Sequence, residues 1–278
     1  MHVMPETELP AVEVIVDATP MTGKFNMAMD ATMLQLGASR SISIVRVYQW
    51  SAPTITLGYF QAAVSSQENP FPNLPCVRRL SGGGAILHDN ELTYSCVLPT
   101  THPVRQDPSS LYTAVHLSLI SLLRSCGVGC CLRSEFDATQ LQQAEINPES
   151  TSGQAEPFLC FLRRNPNDIV HASGAKIVGS AQRRRKGITL QHGSILLSAS
   201  QIIPSVPGIL DLCPEFDALR FIENLGDTIA QSIGVAWKFR SYTAEELSTF
   251  AEIEQGDAKG IAHANRTGSA ARRTIDER

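Results

Sequence analysis

Apolar residues recur at three- and four-residue steps in separate stretches of the chain, and each such stretch predicts a helix. Over 26–36, Met27, Ala31 and Leu34 fall on one side, and Gly37 follows where a helix commonly stops. After Asp107, Pro108 is placed to open a second helix in which Leu111, Val115, Leu119 and Leu122 form one stripe, running to Gly127. Leu219, Ile222, Ile229 and Ile233, closed by Gly234, predict a third, and Thr243 with Glu246 forms a capping box that opens a last one.

Elsewhere the pattern shortens to runs of β-branched and aromatic residues. Segments 44–48 and 54–60 flank a turn at 50–53, and 76–80, 85–87 and 92–98 are punctuated by Gly82-Gly83-Gly84 and Asp89-Asn90. An antiparallel meander is the economical arrangement of these strands. Further strands are predicted at 158–162, 175–180 and 193–197, after a polar stretch at 138–157 that carries Gly and Pro and reads as a loop. The fold class that follows is α+β, with mixed, largely antiparallel sheets and flanking helices. Residues 1–250 are expected to form one domain, and 251–278 predict a polar, mobile tail.

Composition narrows the classes. With 278 residues, 43% hydrophobic, the chain can bury a core, which excludes disorder as its main state. No run approaches the ~18 apolar residues of a membrane span, so no membrane partner is expected. The net charge of -4 argues against a nucleic-acid partner. Seven scattered cysteines and a start unlike a signal peptide point to a reducing cytoplasm. Cys126, Cys130 and Cys131 lack a second ligand pair, so no metal is expected.

Two segments carry candidate chemistry. In Arg78-Arg79-Leu80-Ser81-Gly82-Gly83-Gly84, closely followed by His88-Asp89, three glycines let the backbone approach a ligand and turn N–H groups toward an oxygen. The plain alternative is a tight hairpin. The segment is neither a Walker loop nor a GxGxxG fingerprint. In the second, Lys176 heads an apolar strand with Gly179, Ser180 and Ala181, and Gln191-His192-Gly193-Ser194 follows. A lysine there either meets an anion or a carbonyl oxygen, or lies exposed at the strand end. His88 and His192 are each a base or a hydrogen-bonded strand-end histidine. Arg183 to Lys186 form a basic run expected in a hairpin loop, either solvated or a docking patch for an acidic partner.

Read together with Val45-Arg46-Val47-Tyr48 and Trp50 upstream, these motifs resemble the biotin/lipoate A/B protein ligase family, in the family's order over roughly residues 12–235. More narrowly they are similar to lipoate–protein ligases and octanoyl-[acyl-carrier-protein]:protein octanoyltransferases; no Gly-Arg-Gly-Arg loop of the biotin branch is present. The resemblance implies a ligase-like catalytic domain with a tunnel for an eight-carbon acyl chain or lipoate. It places Arg78, Arg79, Ser81, Gly82, Gly83, Gly84, His88, Gly179, Ser180, Ala181, His192 and Gly193 around the substrate.

Leu159-Cys160-Phe161 looks like the Cys-Phe of the branch that carries octanoate as a thioester, which implies Cys160 as nucleophile with Lys176 beside it. The alternative for Cys160 is a packed core thiol. The implied reaction passes octanoate from acyl carrier protein through Cys160 to a lysine of a lipoyl-domain protein, such as glycine cleavage H protein or a 2-oxoacid dehydrogenase E2, with no cofactor. Two alternatives stand beside it: an ATP-dependent lipoate–protein ligase using ATP and Mg through lipoyl-AMP, and a non-catalytic scaffold for lipoylated or acylated proteins. Ser81-Gly82-Gly83-Gly84 and the Arg163-Arg164 stretch depart from the octanoyltransferase pattern.

Overall fold

Thr22 starts the first helix, its hydroxyl accepting the Phe25 N–H at 3.2 Å, as an N-cap residue does. The computed structural model describes residues 11–37, 39–61, 70–143 and 159–253. Its elements are β1 (Val12–Val16), α1 (Gly23–Leu36), β2 (Ser43–Tyr48), β3 (Thr54–Leu57), β4 (Cys76–Arg78), β5 (Ile86–His88) and β6 (Glu91–Leu98). There follow α2 (Ser109–Ser125), β7 (Cys130–Leu132), α3 (Arg133–Gln143), β8 (Ile169–His171), β9 (Lys176–Arg185) and β10 (Ile188–Leu196). The chain continues through the single turn α4 (Ile209–Leu212), α5 (Ala218–Ile233) and β11 (Trp237–Phe239) to α6, 244–253.

Eight strands form one sheet in the order β11-β1-β2-β6-β10-β9-β8-β7, and β4-β3-β5 form a second. In the larger, β11, β1 and β2 run parallel and all pairings from β2 to β7 are antiparallel. The α+β class holds, but the single meander through 44–98 does not. All eight residues of β6 are buried, so it belongs where both faces are covered, and it inserts between β2 and β10. The three- and four-residue strands β3–β5 remain outside as their own sheet, with β3 parallel to β4.

The two-residue period of β6 divides it between two cores. Leu92, Tyr94, Cys96 and Leu98 face the core built by α2 and α5, while Val97 faces Met29, Met33 and Leu34 of α1. On α5 the buried stripe is Phe221, Leu225, Ile229 and Ile233, each worth about 1.5–3 kcal/mol when fully buried. The sequence stripe erred at its start. Leu219 is 68% and Ile222 37% exposed, because Phe221, packed on Phe216, sets which face of the helix turns inward.

Three other expectations are corrected. Of the predicted strand at 158–162, residue 158 lies outside the described residues, and the rest is one isolated bridge, Ala85 to Leu159, followed by a 3-10 turn at Cys160–Leu162. β5 offers too short a ladder to extend it. Residues 138–143 continue α3 instead of starting a loop: Leu, Gln and Ala are good helix formers, and a largely solvated helix shows little apolar periodicity. The rest of the 138–157 segment lies outside the described residues except as noted, and so do residues 254–278 of the predicted tail. Finally, Arg183, Arg184 and Arg185 lie on β9. The connection to β10 is only Lys186-Gly187, both at positive φ (51° and 83°), the pattern of a two-residue hairpin turn.

The predicted capping box is present. The Glu246 N–H donates to Thr243 Oγ1 at 3.2 Å, and the Thr243 N–H donates to Glu246 Oε2 at 2.8 Å. Arg40 at 2.6 Å and Arg240 at 2.7 Å pair with the same carboxylate, tying α6 to the sheet. Burial pushes its pKa up, but the Arg240, Thr243 and Arg40 bonds outweigh it and bring the group from 4.5 to about 2. A folded-state pKa below the unfolded one stabilises the protein above the unfolded value, and that stabilisation is lost as pH falls from about 4.5 towards 2. Thermal unfolding across that window should show the wild type losing more stability than Glu246→Gln; parallel curves would show that this carboxylate is not coupled to folding.

Candidate active site

The smaller sheet and the Cys160–Leu162 turn meet β9 and β10 around a cavity of about 440 Å³, counting the part open to solvent. Cys160, Lys176, Arg79, His88, Gly179, Ser180, Ala181, His192 and Gly193 line it, joined by Met27, Tyr48, Trp50, Ile86, Thr93, Phe161 and Ser194. Residues far apart in sequence are thus brought to one place. Ser81, Gly82, Gly83 and Gly84 are not among them, and neither is Arg78. The Arg78 guanidinium donates to the carbonyls of Gly58 (2.7 Å), Tyr59 (3.2 Å) and Gln61 (2.7 Å), so it ties down the loop after β3.

Arg79 organises the glycine turn. It donates to the Thr56 carbonyl (3.0 Å) and hydroxyl (3.1 Å) and to the carbonyls of Gly82 (2.8 Å) and Gly84 (2.6 Å). Its Nε–H has no hydrogen-bond partner among the described residues, although the side chain is buried. A buried donor left free beside a cavity is placed to receive an oxygen from a ligand. Burial pulls the guanidinium down to about 10, with Cys160 raising it and Arg163 lowering it, so it remains charged at neutral pH.

Gly83 sits at φ +94°, a left-handed conformation that favours glycine, and a Cβ there would lie 3.0 Å from an Arg79 nitrogen and 3.7 Å from the Cys160 sulfur. The thiol and the guanidinium therefore flank the same bare stretch of backbone. Cys160 is held by its own N–H, which donates to the Ala85 carbonyl at 2.7 Å.

Lys176 is buried at the head of β9. Its ammonium is 2.9 Å from Asp168 Oδ1, 3.4 Å from the Cys160 carbonyl oxygen and 5.1 Å from the Phe161 ring centre. The chain folds this way because β8 and β9 form a hairpin that sets Asp168 beside Lys176, while Asp168 also accepts the Asn165 N–H at 2.8 Å. Burial raises the Asp168 carboxyl, and the opposing pull of Lys176 does not cancel the rise. Gly179 leaves the lysine its space: a Cβ there would stand 2.6 Å from Lys176 Cε.

The histidines are held on both nitrogens. His88 meets Thr56 Oγ1 at 2.8 Å and Glu91 Oε1 at 2.7 Å and stacks on Trp50 at 3.8 Å. Burial lowers its pKa despite Glu91, so the ring is neutral at pH 7. His192 shares one hydrogen bond with Ser81 and lies 3.4 Å from Asp30, which also meets the Tyr48 hydroxyl at 3.1 Å and is 3.6 Å from buried Arg46. These contacts make both rings braces for the cavity wall. Ser180 meets His116 at 2.7 Å, whose pKa burial lowers to about 4. Gly193 runs under the Tyr94 ring, and Gly82 and Gly84 contribute their carbonyls to Arg79.

Asp168, Asp30 and His116 escaped the sequence reading, and Met27 and Trp50 entered it only as a helix position and as part of the upstream motif, not as site residues. Asp168 alone carried a local signal, a carboxylate directly before the apolar pair Ile169-Val170. The others become neighbours of the site only through sheet order. Among the described residues, no group of three or more His, Cys, Asp or Glu is placed to hold a metal ion. No helix among them is long and apolar enough to cross a membrane.

Residues 22–210 match the lipoyl protein ligase A/B catalytic domain, well over half of the chain. The chain belongs to this family. Within it, the chain is 36% identical over 184 residues to Octanoyltransferase LipM of Brevibacillus brevis, covering 64% of this chain and 63% of that protein. It is 32% identical over 244 residues to Octanoyltransferase LipM of Macrococcus caseolyticus, covering 85% of this chain and 81% of the relative. Its fold is similar to the bipartite lipoate protein ligase of Thermoplasma acidophilum, with TM-score 0.64 and 19% identity over 88% of this chain and 92% of that one. In this structure Arg79, the β9 lysine and the cysteine turn line one cavity.

Proposed function

We propose that this protein is a cytoplasmic octanoyltransferase of protein lipoylation, acting through a Cys160 thioester. The observation that carries this reading is the convergence of the Cys160 thiol, the Lys176 ammonium and the free Arg79 Nε–H on a largely apolar cavity. Burying about six methylenes at ~0.8 kcal/mol each contributes on the order of 5 kcal/mol, which holds an octanoyl chain without polar contacts along it.

In the first half-reaction the Cys160 sulfur attacks the thioester carbonyl of octanoyl-acyl carrier protein. The C–S bond to the carrier breaks, and the carrier's thiol leaves. Charge that develops on the carbonyl oxygen is met by Arg79 Nε–H, by Lys176 and by backbone N–H groups at Gly83. In the second, the amine of a lipoyl-domain lysine bonds to the acyl carbon, the bond from that carbon to Cys160 sulfur breaks, and the Cys160 thiolate leaves with a proton from the amine, giving the amide. One thioester is exchanged for another before the amide forms, so ATP, Mg and any cofactor are unnecessary. An acidic carrier would dock through Arg183, two positions along β9 from cavity-lining Ala181. Arg183 stacks on Tyr59 at 4.2 Å, and Phe60, 81% exposed, lies beside Gly82.

Intact mass of the purified chain tests the reading. Incubation with octanoyl-acyl carrier protein is expected to add one octanoyl group to the enzyme and then to a lipoyl domain, with no nucleotide present. Modification of the domain only with octanoate or lipoate plus Mg-ATP would identify a ligase instead, and no modification under either condition a scaffold.

A further inference from the structure

A second cavity of about 430 Å³, counting the part open to solvent, lies between the β5–β6 connection and the chain that follows β10. Ile86 and Phe161 line both cavities, Leu159 faces this one and Cys160 the other. The 3-10 turn that carries Cys160 is therefore the partition between them. The walls of the second cavity are mostly aliphatic, and its one ionisable lining group is the half-buried carboxylate of Asp89. That carboxylate has no hydrogen-bond or ion-pair partner among the described residues, and no lysine, arginine or histidine lines the space. A phosphate would be repelled there, whereas a flexible aliphatic chain ending in a cation fits both the walls and the charge.

We propose that this cavity receives the acceptor lysine, its methylenes along Leu159 and Ile203 and its ammonium drawn in by Asp89. The assignment rests on the transferase reading above and adds to it a separate entry for the second substrate. The octanoyl chain occupies the first cavity, and the amine, steered in by Asp89, meets the thioester carbonyl at the edge the two cavities share, where Ile86 and Phe161 line both. There the amine nitrogen bonds to the acyl carbon as the bond from that carbon to Cys160 sulfur breaks. Of the two protons the ammonium gives up, one returns to the Cys160 thiolate and the other passes to water.

The test separates the half-reactions. Octanoyl-enzyme is formed from octanoyl-acyl carrier protein, isolated, and mixed with increasing lipoyl domain in single turnovers. Asp89→Asn is expected to raise the half-saturating concentration of lipoyl domain about tenfold, with a much smaller change in the rate at saturation. Ile203→Trp, which fills the cavity from its far wall, is expected to slow transfer in the same way. In both variants, acylation of Cys160 by the carrier serves as the internal measure of folding. Wild-type concentration dependence in the two acylated variants would overturn the assignment of this cavity. Failure of the wild type to form any octanoyl-enzyme would instead bring down the transferase reading, and this assignment with it.

Discussion

Cys160→Ala is expected to lower octanoyl transfer by on the order of 10³-fold or more and to abolish the acyl-enzyme. Cysteine is the strongest neutral-pH nucleophile among side chains, and this one is half-buried at a cavity wall beside a charged guanidinium. Its backbone is pinned by the 2.7 Å bond from its N–H to the Ala85 carbonyl, which the substitution leaves intact. The variant should therefore fold and still bind an octanoyl chain, losing only the covalent step. Intact mass after exposure to octanoyl-acyl carrier protein reads this directly. An alanine variant that transfers at the wild-type rate would reduce Cys160 to a packing thiol.

Lys176→Met is expected to slow acylation of Cys160 by roughly 10²–10³-fold, the usual range for removing one donor that stabilises an oxyanion. It carries a second effect that must be separated. Lys176 and Asp168 form a buried pair at 2.9 Å, and removing one member of such a pair typically costs about 3–5 kcal/mol because the other charge is left unpaired. Asp168→Asn in the same chain removes that orphaned charge. The double variant should regain much of the stability in urea denaturation while its acylation stays slow. If acylation recovers together with stability, the lysine serves folding and not the reaction. Gly179→Ala offers a gentler check, because its Cβ would press on Lys176 Cε and displace the ammonium without deleting it.

The residues that bear the chemistry were legible because their types are unusual where they stand. Three successive glycines after paired arginines, a lysine opening an apolar strand and a cysteine before a phenylalanine are local features, and the cavity collects Arg79, Lys176 and Cys160 from them. Adjacent arginines could not be told apart in this way. At the end of a short extended segment neighbouring side chains point opposite ways, so Arg79, just past β4, enters the wall while Arg78 ties the neighbouring loop. The histidines were ambiguous for a related reason: only the positions of Glu91, Asp30, Thr56 and Ser81 decide that both are held on two sides.

The chain's periodicity by itself determined the α+β class, the main helices and the capping box at Thr243, all of which depend on contacts within a few residues. Sheet order lay beyond it, because burial on both faces, and not the run of residues, sends β6 to the centre and leaves β3–β5 apart. The inward face of α5 was likewise settled by Phe216, which lies outside that helix. The Cys160 turn was missed as well: a short apolar run reads as a strand until its only available partner proves to end after one bridge. What the tertiary structure alone decided was the pairing of Lys176 with Asp168 and the division of the interior into two cavities, since both depend on contacts between segments that meet only after folding.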